Sequence, residues 1–209
     1  MATPTRARAR QQPDETRTLI LETADRLLRE RPFRELSVDE IMRPTGYGRT
    51  VFYRHFTGLP QLVLAVLTRA IPQLAAAQAR FDAIAEQDLD EAEIRDILHG
   101  VVVQWQAHGP LMRAMRDASV ADAEIEGLVS QTQRQAQARM GEALARRQAA
   151  GWSGGADPFQ LAGALLSMNQ RFLLGNFGRP DADADVEAVT DALTAVWTAV
   201  LNRRSDGRE

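Results

Sequence analysis

Arg49, Thr50 and Tyr53 stand at i, i+1 and i+4, the spacing that puts three polar side chains on one face of a short helix. Two of them carry chemistry that reads DNA. A guanidinium such as that of Arg49 can grip a guanine edge bidentately, and the Thr50 side chain can meet a thymine methyl or a phosphate. Other apparent motifs fail their own requirements. Gly151-Trp152-Ser153-Gly154-Gly155 matches the G-x-S-x-G nucleophile elbow, which needs a strand before it and a histidine after it. The preceding residues read as helix, and His55, His99 and His108 all lie upstream. Asp181, Asp183 and Asp185 begin like a calcium loop, but Val186 and Ala192 occupy the positions of its glycine and its bidentate glutamate. Acids ahead of a helix N-terminus explain them better. The histidines lack metal-ligand spacing and the chain has no cysteine. No catalytic residue, metal or cofactor is expected, and the chain does not read as an enzyme.

The stretch that positions this face is Leu36 to Phe56, LSVDEIMRPTGYGRTVFYRHF. Ser37 and Glu40 have capping-box spacing, and Leu36 and Ile41 fall at the two positions of a hydrophobic staple. A helix over Val38–Thr45, with Pro44 spoiling its last turn, should stop at Gly46-Tyr47-Gly48, where glycine can take positive φ. A second helix then runs from Arg49 to about His55. Phe52 and Phe56, four apart, turn toward a core. Before this pair, Ile20, Ala24, Leu27 and Leu28 repeat with helical period and Pro32 ends the run. Leu27, Leu28, Val38, Ile41, Phe52 and Phe56 are the expected core of a helix-turn-helix, whose second helix presents polar side chains to the major groove.

Over residues 16–70 the chain resembles the DNA-binding domain of the tetracycline-repressor (TetR) family, whose recognition helix commonly ends in Tyr-x-His-Phe, here Tyr53-Arg54-His55-Phe56. Within the family, Met168-Asn169-Gln170-Arg171-Phe172 with Phe177, and Trp197 in the last helix, resemble the subgroup of ethionamide-monooxygenase repressors. The resemblance implies a dimeric repressor that binds a palindromic operator in double-stranded DNA and is released by a small ligand. It assigns phosphate contacts to Tyr53 and His55, and Ser37 and Tyr47 can add backbone contacts. Three departures cost backbone contacts: Gly48 and Val51 replace common hydroxyl residues, and Leu59 replaces a phosphate-gripping lysine. Arg54 and the arginine-rich N-terminus can compensate.

Charge distribution agrees with a protein that meets phosphate at one end. Residues 1–60 carry eleven arginines and eight acids, a balance of +3, whereas the remainder sums to −6. All basic residues are arginine. No apolar run approaches the roughly 18 residues of a membrane span, and no signal-peptide core is present, so no membrane partner and a cytoplasmic location are expected.

The expected architecture is all-α with about nine helices and no alternating strand pattern. Residues 1–13 read as a disordered basic arm, 14–57 as the three-helix helix-turn-helix domain, 58–203 as a helical ligand-binding and dimerisation domain, and 204–209 as a disordered tail. Thr57 can cap the helix after the head. That helix carries Leu62, Val63, Val66, Leu67, Ala70, Ile71 and Leu74, and Pro72 should kink or end it. Helices should follow over Asp90–His108 (stopped by Gly109-Pro110), Leu111–Asp117, Ala121–Ala150, Pro158–Phe177 and Asp185–Asn202. The last two, with Leu161, Leu165, Met168, Phe172, Leu193, Val196, Trp197 and Val200, are more apolar than surface helices need, which suits a homodimer through about 158–177 and 185–202.

Trp105, Met112, Met115, Met168, Phe172 and Trp197 are large, adaptable apolar side chains, with Asn169 as a lone polar group among them. Apolar walls with few placed polar groups suit a pocket for a small apolar ligand, though ordinary core packing uses the same residues. Asn169 and Trp197 match ligand-contacting positions of the resembled subgroup, and Leu166 stands where that pocket has another polar residue. Two functions remain open at this level: a ligand-controlled repressor, or an all-helical small-molecule or protein-interaction module with weakened DNA binding.

Overall fold

The computed structural model describes residues 5–86, 89–152 and 155–202, which form eight α-helices and two short 3-10 turns, with no strand among them. The helices are α1 (Thr5–Glu30), α2 (Val38–Met42), α3 (Arg49–Phe52), α4 (Leu59–Glu86), α5 (Glu91–Ala121), α6 (Ala123–Ala149), α7 (Pro158–Phe177) and α8 (Val186–Leu201). The tail, 204–209, lies outside the described residues. No described helix is long and apolar enough to cross a membrane.

Most helix starts follow from local chemistry. Asp90 and Glu93 form a reciprocal capping box at α5, and the carboxylates of Asp122, Asp157 and Asp185 accept from first-turn amides of α6, α7 and α8. Asp185 is thereby explained as a cap, and Asp181 pairs with Arg179 at 2.8 Å. No cluster of potential metal ligands occurs among the described residues. The G-x-S-x-G look-alike joins α6 to α7, helix to helix; its Ser153 and Gly154 lie outside the described residues.

Three boundaries differ from the sequence expectation. α1 begins at Thr5, inside the segment read as a disordered arm, because its Arg, Ala and Gln residues are good helix formers. α4 runs on through Pro72; the side chains of Ala70, Ile71 and Leu74 lie outside the described residues. α5 continues through Gly109-Pro110, so the separate Leu111–Asp117 helix does not exist and eight α-helices replace nine. Burial decides this last case. A proline inside a helix costs about 3 kcal/mol, but α5 packs on α4, α7 and α8 and buries Leu98, Val102, Leu111 and Ala114. Gly109 is needed for proximity: a Cβ there would strike the backbone carbonyl of Phe177, so α5 and α7 approach closely at that point.

Two apolar cores result. The head core joins Ile20, Ala24 and Leu28 of α1 to Val38, Ile41, Phe52 and Phe56, and continues into Leu62, Val63 and Val66 of α4. It also includes Leu111, Ala114 and Ala118 of α5 and Ile125 of α6, so the head is seated on the body by shared packing. Of the six expected head-core residues, all but Leu27 are fully buried, and Leu27 packs at the margin. The body core centres on Trp197, which is 0% exposed and edge-on to Phe81 at 5.3 Å.

Candidate nucleic-acid interface and ligand cavity

Local chemistry builds the head as its sequence suggests. The Ser37 hydroxyl accepts from the Glu40 amide at 3.3 Å, and the Glu40 carboxylate accepts from the Ser37 amide at 2.8 Å. The Ser37 hydroxyl also donates to that carboxylate, which commits it to the cap. Arg31, at the end of α1, donates to Glu40 at 2.7 Å and ties α1 to α2. These bonds, Arg31 first and Ser37 second, hold the Glu40 carboxyl down to about 2. α2 ends in a 3-10 turn over Arg43–Thr45, and Gly46 takes the left-handed conformation at φ 75°. Gly48 does not; at φ −86° it is an extended N-cap. α3 is regular only over Arg49–Phe52, and 3-10 bonds from Arg54 to Val51 and from His55 to Phe52 tighten the last turn.

Tyr47, Arg49, Thr50, Tyr53 and Arg54 are all exposed and His55 is half-buried. Tyr53 is 53% exposed with its ring edge-on to Phe52, so it stands on the core residue without joining the core. Arg49 lies 3.3 Å from Asp39 of α2. The Tyr53 side chain and the Asp39 carboxylate raise the guanidinium above its ordinary pKa, so it stays a cation. Asp39 thus pairs with Arg49, a contact that sequence spacing did not suggest. Arg17 of α1, 5.4 Å over the Phe56 ring, adds an exposed cation beside the same turn. Val51 and Leu59, the departures from the family pattern, pack at the edge of the head core.

The body holds two adjoining pockets, each partly open to solvent. The upper lobe, about 550 Å³, is lined by Phe81, Gln104, Trp105, Met112, Leu166 and Asn169 among others. The lower lobe, about 730 Å³, shares Trp105, Met112 and Gln133 with it and extends past Met115 to Leu64 and Leu67 of α4. The structure thus brings Trp105, Met112, Met115 and Asn169 together around open space and places the other three candidates elsewhere. Trp197 lies behind the wall: its indole N–H donates to Asn169 Oδ1 at 3.0 Å, in a buried bond. Met168 and Phe172 line neither lobe. Phe172 is 37% exposed and turned to solvent. Gln104 was not legible as a site residue. It lines the upper lobe, and its buried Oε1 has no hydrogen-bond partner. Only the packing of α5 reveals it, since its neighbours in sequence are ordinary helix residues.

The proposed dimer residues divide similarly. Leu165, Leu193 and Trp197 are buried within one subunit, Leu161, Met168 and Val200 are partly buried, and Phe172 and Val196 are exposed.

A helix-turn-helix head seated on a helical body is the architecture of a DNA-binding regulator of transcription. The description "Bacterial regulatory proteins, tetR family" matches residues 20–66, and "Transcriptional regulator EthR, C-terminal domain" matches 94–201, more than half of the chain. The chain belongs to the tetR family of DNA-binding transcriptional regulators, with a C-terminal domain of the EthR type. It is similar to the HTH-type transcriptional regulator EthR of Mycobacterium tuberculosis (strain ATCC 25618 / H37Rv), 27% identical over 200 residues that cover 94% of this chain and 91% of the relative. Among solved structures, SmeT, the repressor of the Stenotrophomonas maltophilia multidrug efflux pump SmeDEF, shares the fold. Its TM-score is 0.60 at 21% identity, covering 91% of both chains. A SmeT–triclosan complex gives a TM-score of 0.59 at 21% identity, covering 92% of this chain and 93% of that one.

Proposed function

We propose that the chain is a repressor that binds a palindromic operator as a homodimer and is released by a small, largely apolar molecule. In this reading residues 14–57 hold DNA, while 58–203 hold the ligand and the partner subunit. The observation that carries it is the shared wall between head and cavity. Leu64 and Leu67 line the lower lobe, and the same two side chains pack against the head core. A molecule that fits the lobe only when α4 is displaced stabilises the conformation with displaced heads. It then weakens DNA affinity by its differential binding to the two states. That SmeT, which shares the fold, was solved as a complex with triclosan supports a body of this kind taking a ligand. For DNA, Arg49 reads a base edge, while Tyr53, Arg54 and His55, with Ser37 and Tyr47 at the margin, set register on phosphates.

The test is a mobility-shift titration, at stated salt, on DNA upstream of the protein's own coding region. Arg49→Ala should weaken binding by about 1–3 kcal/mol and relax preference at one position of each half-site. Tyr53→Phe should weaken all sequences alike. Unchanged affinity and unchanged preference in Arg49→Ala would remove the assigned recognition face.

A further inference from the structure

The lower lobe is apolar in its walls and cationic at its rim. Leu64, Leu67, Met115 and Leu174 supply the walls, and Arg116 of α5 and Arg171 of α7 line the same space. Both arginines are exposed, and neither guanidinium makes an ion pair or a side-chain hydrogen bond among the described residues. Several other arginines are paired: Arg95 with Glu187 and Asp191, Arg139 with Asp82, and Arg31 with Glu40. Among the described residues Glu126 is the one carboxylate on the lower lobe, and Arg134 adds a further cation to the upper lobe. Across the two joined lobes, three guanidiniums face one carboxylate. An anionic group at this rim would find charge-assisted donors that a purely apolar guest does not use.

We infer that the molecule held by this cavity is a single-chain amphiphile with an anionic head, its tail in the apolar lobe and its head between Arg116 and Arg171. The inference rests on the ligand-binding reading above and narrows its chemical class. Two guanidiniums from different helices can form charge-assisted bonds to one carboxylate, and planar forks suit that group better than ammonium ions would. The adjoining lobes, about 550 and 730 Å³, share Trp105, Met112 and Gln133, so an alkyl chain that fills one can continue into the other. Binding the head would also draw α5 and α7 together at the level of the head–body junction, where Leu111, Ala114 and Ala118 of α5 enter the head core.

The experiment uses the full-length protein at neutral pH and three probes of one chain length, dodecanoate, dodecanol and dodecylamine, each below its micelle concentration. Trp105 lines both lobes, so tryptophan fluorescence reports occupancy. Dodecanoate should bind about tenfold or more tightly than dodecanol, as one or two charge-assisted bonds to a carboxylate require. Arg116→Gln combined with Arg171→Gln should erase that preference while leaving dodecanol affinity unchanged; both residues are exposed, so the variant should fold. Equal binding of dodecanoate and dodecanol, or preference for dodecylamine, overturns the inference and leaves the cavity reading intact. A carboxylate preference that survives the double variant and disappears in Arg134→Gln overturns the placement of the head. Failure of all three probes to bind overturns the inference, and failure of a broad apolar library as well would overturn the cavity reading beneath it.

Discussion

As a lone polar group among apolar side chains, Asn169 reads from sequence as a ligand contact, and on that reading alone its replacement by leucine would blunt a ligand response and leave the fold intact. The structure makes a different prediction. Asn169 Oδ1 accepts from the indole N–H of Trp197 at 3.0 Å, and the two residues are 5% and 0% exposed. Leucine keeps the branched shape but removes the acceptor. The indole N–H is then buried without a partner, at a cost of about 1–3 kcal/mol. For a chain of this length each kcal/mol lowers Tm by about 2–4 °C, so the midpoint should fall by roughly 2–12 °C. Trp197→Phe also destabilises, by removing the donor and opening space beside Phe81. In the double variant no orphaned N–H remains. The two single costs should therefore fail to add, with a coupling of about 1 kcal/mol or more. Urea unfolding at one fixed protein concentration measures all four corners of the cycle. Strict additivity, or an Asn169→Leu midpoint equal to that of the parent, would refute the bond as a determinant of this core.

Three further outcomes follow from the geometry. The Glu40 carboxyl is depressed to about 2 from an ordinary 4.5, so its contribution to head stability is complete above the ordinary value and is lost as pH falls toward about 2. The gap in thermal midpoint between parent and Glu40→Gln should thus be constant at neutral pH and close on acidification; a gap that persists unchanged in acid excludes the Arg31–Glu40–Ser37 network as its source. Gly109→Ala should destabilise by about 1–3 kcal/mol in a denaturant titration, because the added methyl meets the backbone of Phe177, which cannot rotate away. Phe172→Arg with Val196→Arg should give protomers that light scattering reports as monomers and that no longer hold a palindromic site; a dimer that survives both changes places the interface elsewhere. These exposed residues are better probes than Leu165, which is buried within one subunit and would unfold the body if charged.

Much of the head was legible because its determinants are local. Ser37 and Glu40 are three residues apart, and a capping box needs only that spacing and the right groups. Gly46 marks the one left-handed residue of the turn, and the period of Phe52 and Phe56 sets the buried face. The acids before α8 marked its start for the same reason, and Asp185 is its cap. The all-α class and the alternative between repressor and binding module also came from local pattern and resemblance. What required the tertiary structure was every choice between equivalent local signals. Gly109-Pro110 has the composition of a helix stop, but its neighbours bury enough apolar surface on three helices to carry α5 through it. Met168, Phe172, Asn169 and Trp197 look alike as members of an apolar set, and only the rotation of α7 and α8 separates cavity wall, exposed face and core. Asp39 and Arg49, ten residues apart, meet because the glycine turn folds α3 back on α2. Side-chain period specifies that a face is buried; the partner that buries it is set by packing between elements distant in sequence.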